Sequence, residues 1–216
     1  MKDSFENQDG ESIVFDMIET IQKNAKVLSE IDGAIGDGDH GINMSKGFTI
    51  CKQRLEANPG DFAGGLRTLG RVLMAEIGGA MGPLYGTFFL ELSRVAGNQQ
   101  TITRECFQRM LESGSEAVMS LGNAKVGDKT MVDTLVSAVE AYRKAAASGA
   151  DLAAALAAMA TGAAEGKEST RNLVAKVGRA SRLGERSRGI PDAGATSCAL
   201  LLESMARSIR VLLAKE

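Results

Sequence analysis

The stretch Asp32-Gly-Ala-Ile-Gly-Asp-Gly-Asp-His-Gly-Ile-Asn43 decides how the chain is interpreted. It holds three aspartates, at 32, 37 and 39, among glycines at 33, 36, 38 and 41. A glycine inside a helix costs about 1 kcal/mol relative to alanine, so the stretch predicts a flexible loop. Three crowded carboxylates repel one another unless a cation lies between them, and Mg²⁺ prefers such oxygen ligands. Two interpretations follow: a Mg²⁺ site, or a solvated acidic turn that caps helices.

Composition restricts the class of protein. The 216 residues contain no linker-like segment, which predicts one domain over 1–216. A net charge of -2 and 4% aromatic residues give no reason to expect nucleic acid, and no stretch approaches the roughly 18 apolar residues of a membrane span. The polar N-terminus does not resemble a signal peptide. The scattered Cys51, Cys106 and Cys198 are typical of reduced thiols in a cytoplasmic protein.

Apolar residues recur with a helical period along most of the chain, and no segment shows the alternation of a strand. Asp61, Thr103 and Asp151 stand where they can cap helices. The pattern therefore predicts an all-α chain of about eight helices and no sheet, over 11–30, 43–57, 62–77, 84–96, 103–121, 129–147, from 152 onward, and 195 to the C-terminus. Short connections favour antiparallel neighbours. The glycine-rich segments 32–42, 78–86, 122–130 and 178–194 follow odd-numbered helices, so we expect one site at one end of a helical barrel.

Two of these segments invite comparison with known motifs. Gly122-x4-Gly127-Asp-Lys-Thr130 is not a P-loop, because Asp128 precedes the lysine and the preceding residues are helical in pattern. The turn either holds an anion at a helix N-terminus or is a plain helix end capped by Asp128. The acidic stretch is not an EF-hand, because the twelfth position from Asp32 is Asn43.

Two further features accompany the acidic stretch. His40 is the only histidine in the chain, and it either contacts a ligand or hydrogen-bonds an aspartate. Residues 178–189 carry four arginines, which either form a solvated basic loop or bind phosphate oxygens through guanidinium forks. Asp192 follows them and can cap the last helix.

Four blocks together resemble the L subunit of dihydroxyacetone kinase, in order and over nearly the whole chain. They are Asp32-x4-Asp37-x-Asp39-His-Gly-x-Asn43, Gly78-Gly-Ala-x-Gly-Pro-Leu-x-Gly-Thr87, Gly127-Asp-Lys-Thr-Met131 and Gly178-Arg-Ala-Ser-x-Leu-Gly-Glu-Arg186 with Gly194-Ala-Thr-Ser197. The resemblance implies a single-domain barrel of eight antiparallel helices that holds ADP or ATP and two Mg²⁺ at one end.

The resemblance also implies residue roles. The metal ligands would be Asp32, Asp37 and Asp39, which would act in catalysis together with Arg179. Nucleotide contacts would come from His40, Gly41, Ile42, Asn43, Ala80, Met81, Gly122, Met131, Arg179, Asp192, Ala193 and Gly194. Met81 stands where relatives commonly carry serine, which removes a hydroxyl that can bond a phosphate or a ribose.

The family's mechanism implies partners. Two Mg²⁺ would neutralise the phosphates, and catalysis would be positioning and electrostatics. The substrate, dihydroxyacetone or a similar ketose, would be held by a histidine of a separate K subunit. Because His40 lies in the metal loop, we expect no phosphorylation of a ketose by this chain alone.

The family divides by phosphate source. In phosphotransferase-system forms the L subunit retains ADP, which a phosphohistidine M subunit recharges, and a separate chain of this length favours that form. The alternatives are an ATP-dependent triose, tetrose or other sugar kinase subunit, and a non-catalytic ADP-sensing partner of a regulator.

Overall fold

The computed structural model describes residues 3–215; Met1, Lys2 and Glu216 of the predicted 1–216 domain lie outside the described residues. Eight α-helices make up most of the described chain. They are α1 (Glu11–Ile35), α2 (His40–Ala57), α3 (Phe62–Glu76), α4 (Met81–Ala96), α5 (Arg104–Gly122), α6 (Met131–Ala147), α7 (Leu152–Ser169) and α8 (Ala193–Lys215). Short 3₁₀ segments cover Asn7–Gly10, Thr170–Asn172 and Arg179–Ser187.

The helices close into a ring. Each helix packs against the next one in the chain, and α8 packs against α1. The C-terminal ends of α1 and α5 and the N-terminal ends of α2, α4, α6 and α8 line one cavity, so successive helices run in opposite directions. The predicted all-α barrel of about eight antiparallel helices is confirmed. None of the helices within residues 3–215 has the length and hydropathy needed to cross a bilayer.

Apolar side chains fill the interior of the ring. Phe48 of α2 meets Phe89 of α4 edge to face, with ring centroids 6.4 Å apart, and both rings are fully buried. Small residues bring α6 and α7 together: a Cβ on Gly162 would lie 2.7 Å from the Ser137 carbonyl oxygen. The small residues of the alanine-rich α7 therefore allow it to pack closely against α6.

A two-stranded antiparallel pair corrects the prediction of no sheet. Strand β1 (Ser4–Glu6) pairs with β2 (Thr101–Thr103), and Phe5 lies opposite Ile102. Both apolar side chains are buried. Three residues per strand are too few to show a period of two, so the sequence pattern does not reveal them.

Three helix boundaries also differ from the prediction by three residues or more. Helix α1 continues to Ile35, α2 begins at His40, and α4 begins at Met81, so the predicted loop 32–42 is only 36–39. Glycine is tolerated here because these helices pack backbone against backbone. A Cβ on Gly41 would clash with the Ala25 carbonyl oxygen of α1, so tertiary packing outweighs helix propensity.

The three predicted caps of α3, α5 and α7 are confirmed. The carboxylate of Asp61 accepts from the Gly64 N–H at 2.6 Å, and that of Asp151 accepts from the Ala154 N–H at 2.8 Å. The Thr103 hydroxyl accepts from the N–H of Cys106 at 3.1 Å. Each bond satisfies one of the free N–H groups of a helix start.

Candidate functional site

A cavity of about 750 Å³ opens at the end of the barrel where the glycine-rich segments meet. All four segments contribute to its walls, as their alternation with antiparallel helices predicts. One wall is apolar, and its side chains include Ile35, Leu84, Val118, Leu121 and Val132. Its rim is also acidic and holds Asp32, Asp37 and Asp39. The cavity therefore combines a surface for a flat apolar group with a surface for cations.

The acidic rim is a compact cluster. One carboxylate oxygen from each of Asp32, Asp37 and Asp39 lies within 4.8 Å of the others. Asp32 lies in the last turn of α1 and Asp39 directly precedes α2, and Gly38, at φ +79°, makes the turn between them. A side chain is strained at that φ. The three oxygens are hard ligands at the spacing that one divalent cation can bridge, so the residues fit Mg²⁺.

Arg179 supplies positive charge to this cluster. Its guanidinium forms an ion pair with the Asp37 carboxylate, and both side chains are exposed. An exposed pair contributes only about 0–1 kcal/mol. Arg179 can therefore leave Asp37 for another anion, such as a phosphate, at little energetic cost.

The link from α3 to α4 lines the cavity. Gly79, at φ +71°, turns the chain so that α4 begins against the end of α3. A Cβ on Gly82 would clash with the Ile77 carbonyl oxygen. The Met81 side chain packs partly against the core, so the polar groups offered here are the backbone N–H groups that begin α4.

The start of α6 corrects the alternative in which Asp128 caps that helix. Thr130 is the cap: its hydroxyl accepts from the Val132 N–H at 3.1 Å. Asp133 completes a capping box by accepting from the Thr130 N–H at 2.8 Å, and it also accepts from the Gly127 N–H at 2.6 Å. Asp128 instead accepts from the Lys125 N–H within the turn.

Lys129 ties this turn to the segment after α7. Its side chain is buried, and its ammonium group donates to the carbonyl oxygens of Thr170 and Ile190, both at 2.5 Å. Burial lowers the pKa of Lys129, and the nearby Asp192 opposes that shift. The ammonium therefore joins the end of α7 to Ile190, near the C-terminal end of the basic arm, the name used here for residues 178–194.

Asp192 lines the cavity and directly precedes α8, which it caps as predicted. Its carboxylate accepts from the Ala195 N–H at 2.7 Å. Burial raises the pKa of Asp192 to about 6, although this hydrogen bond and Lys129 both act in the opposite direction.

His40 is buried next to the acidic cluster. Its backbone N–H donates to Asp32 at 3.2 Å, and its Nε2 lies 2.8 Å from the Ser197 hydroxyl of α8. Burial lowers the pKa of His40 to about 4, against the influence of Asp32, so the ring is uncharged near neutral pH. The backbone of His40 bonds an aspartate and its side chain lines the cavity, so contact with a ligand stays a prediction.

Most of the candidate residues line the cavity, and three of them do not. The residues that line the cavity are Asp32, Asp37, Asp39, His40, Asn43, Ala80, Met81, Gly122, Met131, Arg179, Asp192 and Ala193. Gly41 packs against α1, and the side chain of Ile42 is 66% exposed. Gly194 accepts through its carbonyl oxygen from the Tyr85 phenol at 3.0 Å. Nucleotide contacts of these three residues, and of those that line the cavity, stay predictions.

Several residues of the site have no individual role in the sequence prediction. Lys129 and Thr130 line the cavity, Ser197 lies 2.8 Å from the Nε2 of His40, and Tyr85 lies 2.7 Å from the Ser197 hydroxyl. Lys129 and Thr130 belong to the Gly127–Met131 block, and the resemblance of that block to the family could have marked them as residues of the site. The hydrogen bond between Tyr85 and Ser197 joins residues 112 positions apart, and no local sequence pattern predicts it.

Comparisons with known proteins agree with this geometry. The DAK2 domain model matches residues 34–207. The chain is 40% identical to the ADP-binding subunit DhaL of PEP-dependent dihydroxyacetone kinase 1 from Listeria innocua, over 88% of this chain and 90% of that one. It is 38% identical to the ADP-binding subunit DhaL of the PEP-dependent dihydroxyacetone kinase from Escherichia coli, over 84% and 87%.

A solved structure shows the same fold. The crystal structure of the dihydroxyacetone kinase from C. freundii in complex with AMP-PNP and Mg²⁺ superposes with a TM-score of 0.66 at 24% identity. The match covers 92% of this chain, which spans about a third (33%) of that kinase. On the domain match and the two relatives, the chain belongs to the DAK2-domain family of dihydroxyacetone kinase L subunits.

Proposed function

We propose that this chain, as a single domain, is the nucleotide-binding, phosphoryl-transferring subunit of a phosphotransferase-system-dependent dihydroxyacetone kinase. It retains ADP with two Mg²⁺ and passes the terminal phosphoryl group to a ketose held by a separate K subunit. The relatives from Listeria innocua and Escherichia coli are ADP-binding subunits of PEP-dependent kinases, which supports a retained ADP that a phosphohistidine M subunit recharges.

One observation carries the proposal: an apolar wall and a carboxylate cluster face one cavity of about 750 Å³. An adenine ring is flat and mostly apolar, and it suits the wall that includes Leu84, Val118 and Leu121. A diphosphate is strongly anionic, and it needs cations or guanidinium groups at the other end. The three aspartates can hold such cations there, and Arg179 supplies a guanidinium group.

The chain's own residues position the phosphates. Bound Mg²⁺ would neutralise charge on the phosphate oxygens, with Asp32, Asp37 and Asp39 as its protein ligands. Arg179 would exchange its exposed pair with Asp37 for a phosphate oxygen as charge develops there. The N–H groups that begin α4, which no side chain caps, would donate to further oxygens. No protein nucleophile is needed, because phosphoryl transfer depends mainly on positioning and electrostatics.

The chain has no histidine with which to hold a ketose. His40 is its only histidine, and it is buried under the acidic cluster with Ser197. A K subunit must therefore provide the substrate site, and the open cavity is where its substrate would meet the phosphate.

Reconstitution tests this proposal. The chain, a K subunit and dihydroxyacetone are combined with a phosphohistidine donor or with ATP, and product formation is followed. We expect turnover only with the K subunit and the phosphohistidine donor. Turnover driven by ATP alone would instead indicate an ATP-dependent sugar kinase subunit. Product formed by the chain without a K subunit would contradict the proposal.

A non-catalytic role gives a different result in the same assay. An ADP-sensing partner of a regulator would bind Mg²⁺ and ADP but show no transfer with any K subunit or donor.

A further inference from the structure

Two arginines of the basic arm take no part in the site described above. Arg179 pairs with the acidic cluster, and the side chain of Arg188 lies 3.0 Å from that of Glu185. Arg182 and Arg186 are exposed, and within the described part of the chain their side chains form neither a hydrogen bond nor an ion pair. These two guanidinium groups are therefore available to a partner from outside the chain.

Arg182 lies close to the cavity. Residues 177–180 line the cavity, and Arg179–Ser187 is a 3₁₀ segment. Each residue of a 3₁₀ helix rises by about 2 Å and every third side chain shares a face, so Arg182 follows Arg179 at about 6 Å. The kink in the segment is at Gly184, beyond both arginines. A cation therefore lies just outside the cavity, next to the one that can reach a phosphate inside it.

Hydrogen bonds fix the shape of the basic arm. The buried Ser187 hydroxyl accepts from the Ala175 N–H at 2.9 Å and donates to the Gly184 carbonyl oxygen at 2.7 Å. The Ile190 carbonyl oxygen accepts from the Lys129 ammonium at 2.5 Å. The arginines therefore extend from an ordered backbone, and docking a partner on them costs less conformational entropy than ordering a flexible loop.

Exposed apolar side chains lie beside the arm. Val177 directly precedes it and is 36% exposed, and Val126, in the turn before α6, is 57% exposed. The Lys176 N–H donates to the Asp128 carbonyl oxygen at 3.2 Å, which holds these two segments together. Apolar side chains mixed with arginines are typical of contact surfaces between proteins, whereas a solvated basic loop needs no apolar groups. This composition indicates a protein partner.

We propose that the basic arm, with Val126 and Val177 beside it, is the surface on which the phosphohistidine donor docks. This inference rests on the proposed function and assigns a surface to one of its two partners. The arm has four arginines and only two carboxylates, Glu185 and Asp192, in a chain whose net charge is -2. Its partner should therefore present a face rich in carboxylates around the phosphohistidine.

The charge of the incoming group distinguishes the two partners. A phosphohistidine carries a negatively charged phosphoryl group, and cations beside the cavity lower the energy of bringing that group toward a bound diphosphate. Dihydroxyacetone and similar ketoses carry no charge, so a K subunit gains nothing comparable from the arm. The arginines therefore favour the approach of the donor over that of the K subunit.

Direct binding tests this surface without requiring turnover. The double variant Arg182→Glu/Arg186→Glu should bind the phosphohistidine donor of the reconstitution about tenfold or more weakly at low salt, measured by calorimetry. The donor affinity of the unaltered chain should fall steeply as salt is raised, and that of the variant should fall less. The affinity for ADP should not change, because neither side chain lines the cavity.

The matched control is Arg67→Glu/Arg210→Glu, which changes the net charge equally. Both arginines are exposed and have no ion pair among the described residues, and they lie toward the strand-pair end of α3 and α8. The control should keep the donor affinity of the unaltered chain. An equal loss in the control would mean that net charge alone acts, and an unchanged affinity in Arg182→Glu/Arg186→Glu would mean that the arm is only solvated. Either result overturns the inference.

Two half-reactions identify the partner that uses the arm. In the first, the donor recharges the chain loaded with ADP, and in the second, the chain loaded with ATP and Mg²⁺ transfers to dihydroxyacetone on the K subunit. Arg182→Glu/Arg186→Glu should slow the first by about tenfold or more at low salt and leave the second unchanged.

The other outcomes of the half-reactions overturn the inference. A loss in the second alone would assign the arm to the K subunit, and an equal loss in both would indicate an effect on the nucleotide site. Recharging of the unaltered chain by the donor would still support the proposed function in these cases. Failure of the unaltered chain to be recharged at all would instead refute the proposed function itself.

Discussion

Both ends of the barrel have side chains that cap helices, but the charged groups at the two ends differ in whether protein partners neutralise them. At the end that carries the strand pair, Asp3 accepts from the Leu152 N–H at 2.9 Å and lies 3.4 Å from Arg104. Arg104 also donates to the Ala150 carbonyl oxygen at 2.6 Å. Charges there are matched by neighbouring protein groups.

At the other end three carboxylates share a space 4.8 Å across, and only Asp37 has an ion pair within residues 3–215. Such repulsion is unfavourable unless a cation is bound. We infer from this contrast that the strand-pair end maintains the fold and the cavity end is built for a charged ligand.

The largest expected effect comes from removing one carboxylate of the cluster. Asp37→Asn removes a charge that a divalent cation needs, so phosphoryl transfer with a K subunit should fall by about 100-fold or more. Its stability should change by less than about 1 kcal/mol, because the Asp37–Arg179 pair is exposed.

Asp151→Asn is the matched control at the strand-pair end, because asparagine also caps helices. Transfer should be unchanged in that variant. Transfer by Asp37→Asn at the wild-type rate would refute the metal-ligand assignment.

Lys129→Met should have the next largest effect, because it should lower both the stability of the fold and the affinity of the site for ADP. Two carbonyl oxygens, of Thr170 and Ile190, lose a charged donor, and the stability should fall by about 2–3 kcal/mol. The basic arm should then be less fixed and ADP should bind more weakly. Chemical denaturation and calorimetry measure the two effects, with the exposed Lys144→Met as control. An unchanged ADP affinity would show that Lys129 is purely structural.

The smallest expected effect compares two threonine caps. Thr103→Ala at the strand-pair end and Thr130→Ala at the cavity end should each cost about 1 kcal/mol of stability. Only Thr130→Ala should weaken nucleotide binding, by a few-fold, because only its helix start faces the cavity. Equal effects on binding would mean that both caps act through stability alone.

Features set by local chemistry could be predicted from the sequence. The caps Asp61, Thr103 and Asp151 depend on bonds three residues away, and the ring of helices follows from periodicity and short connections. The gathering of the glycine-rich segments at one end follows from their alternation with helices.

Features set by distant contacts could not be predicted. In the last turns of α1, Gly33 is helical and Gly38 packs against it, since a Cβ built at Gly33 would lie 3.6 Å from the Gly38 Cα. The pairing of Ser197 with His40 spans 157 positions. Residue spacing along the chain carries no information about such pairs.

The most direct test of the account is to denature the purified chain and identify the nucleotide it releases. We predict stoichiometric ADP that survives long dialysis with Mg²⁺ and is lost on chelation of the metal, since the carboxylate cluster would hold the phosphates through Mg²⁺. A chain that is free of nucleotide and binds neither ADP nor ATP in the presence of Mg²⁺ would contradict the account and leave the likeness to the family as one of fold.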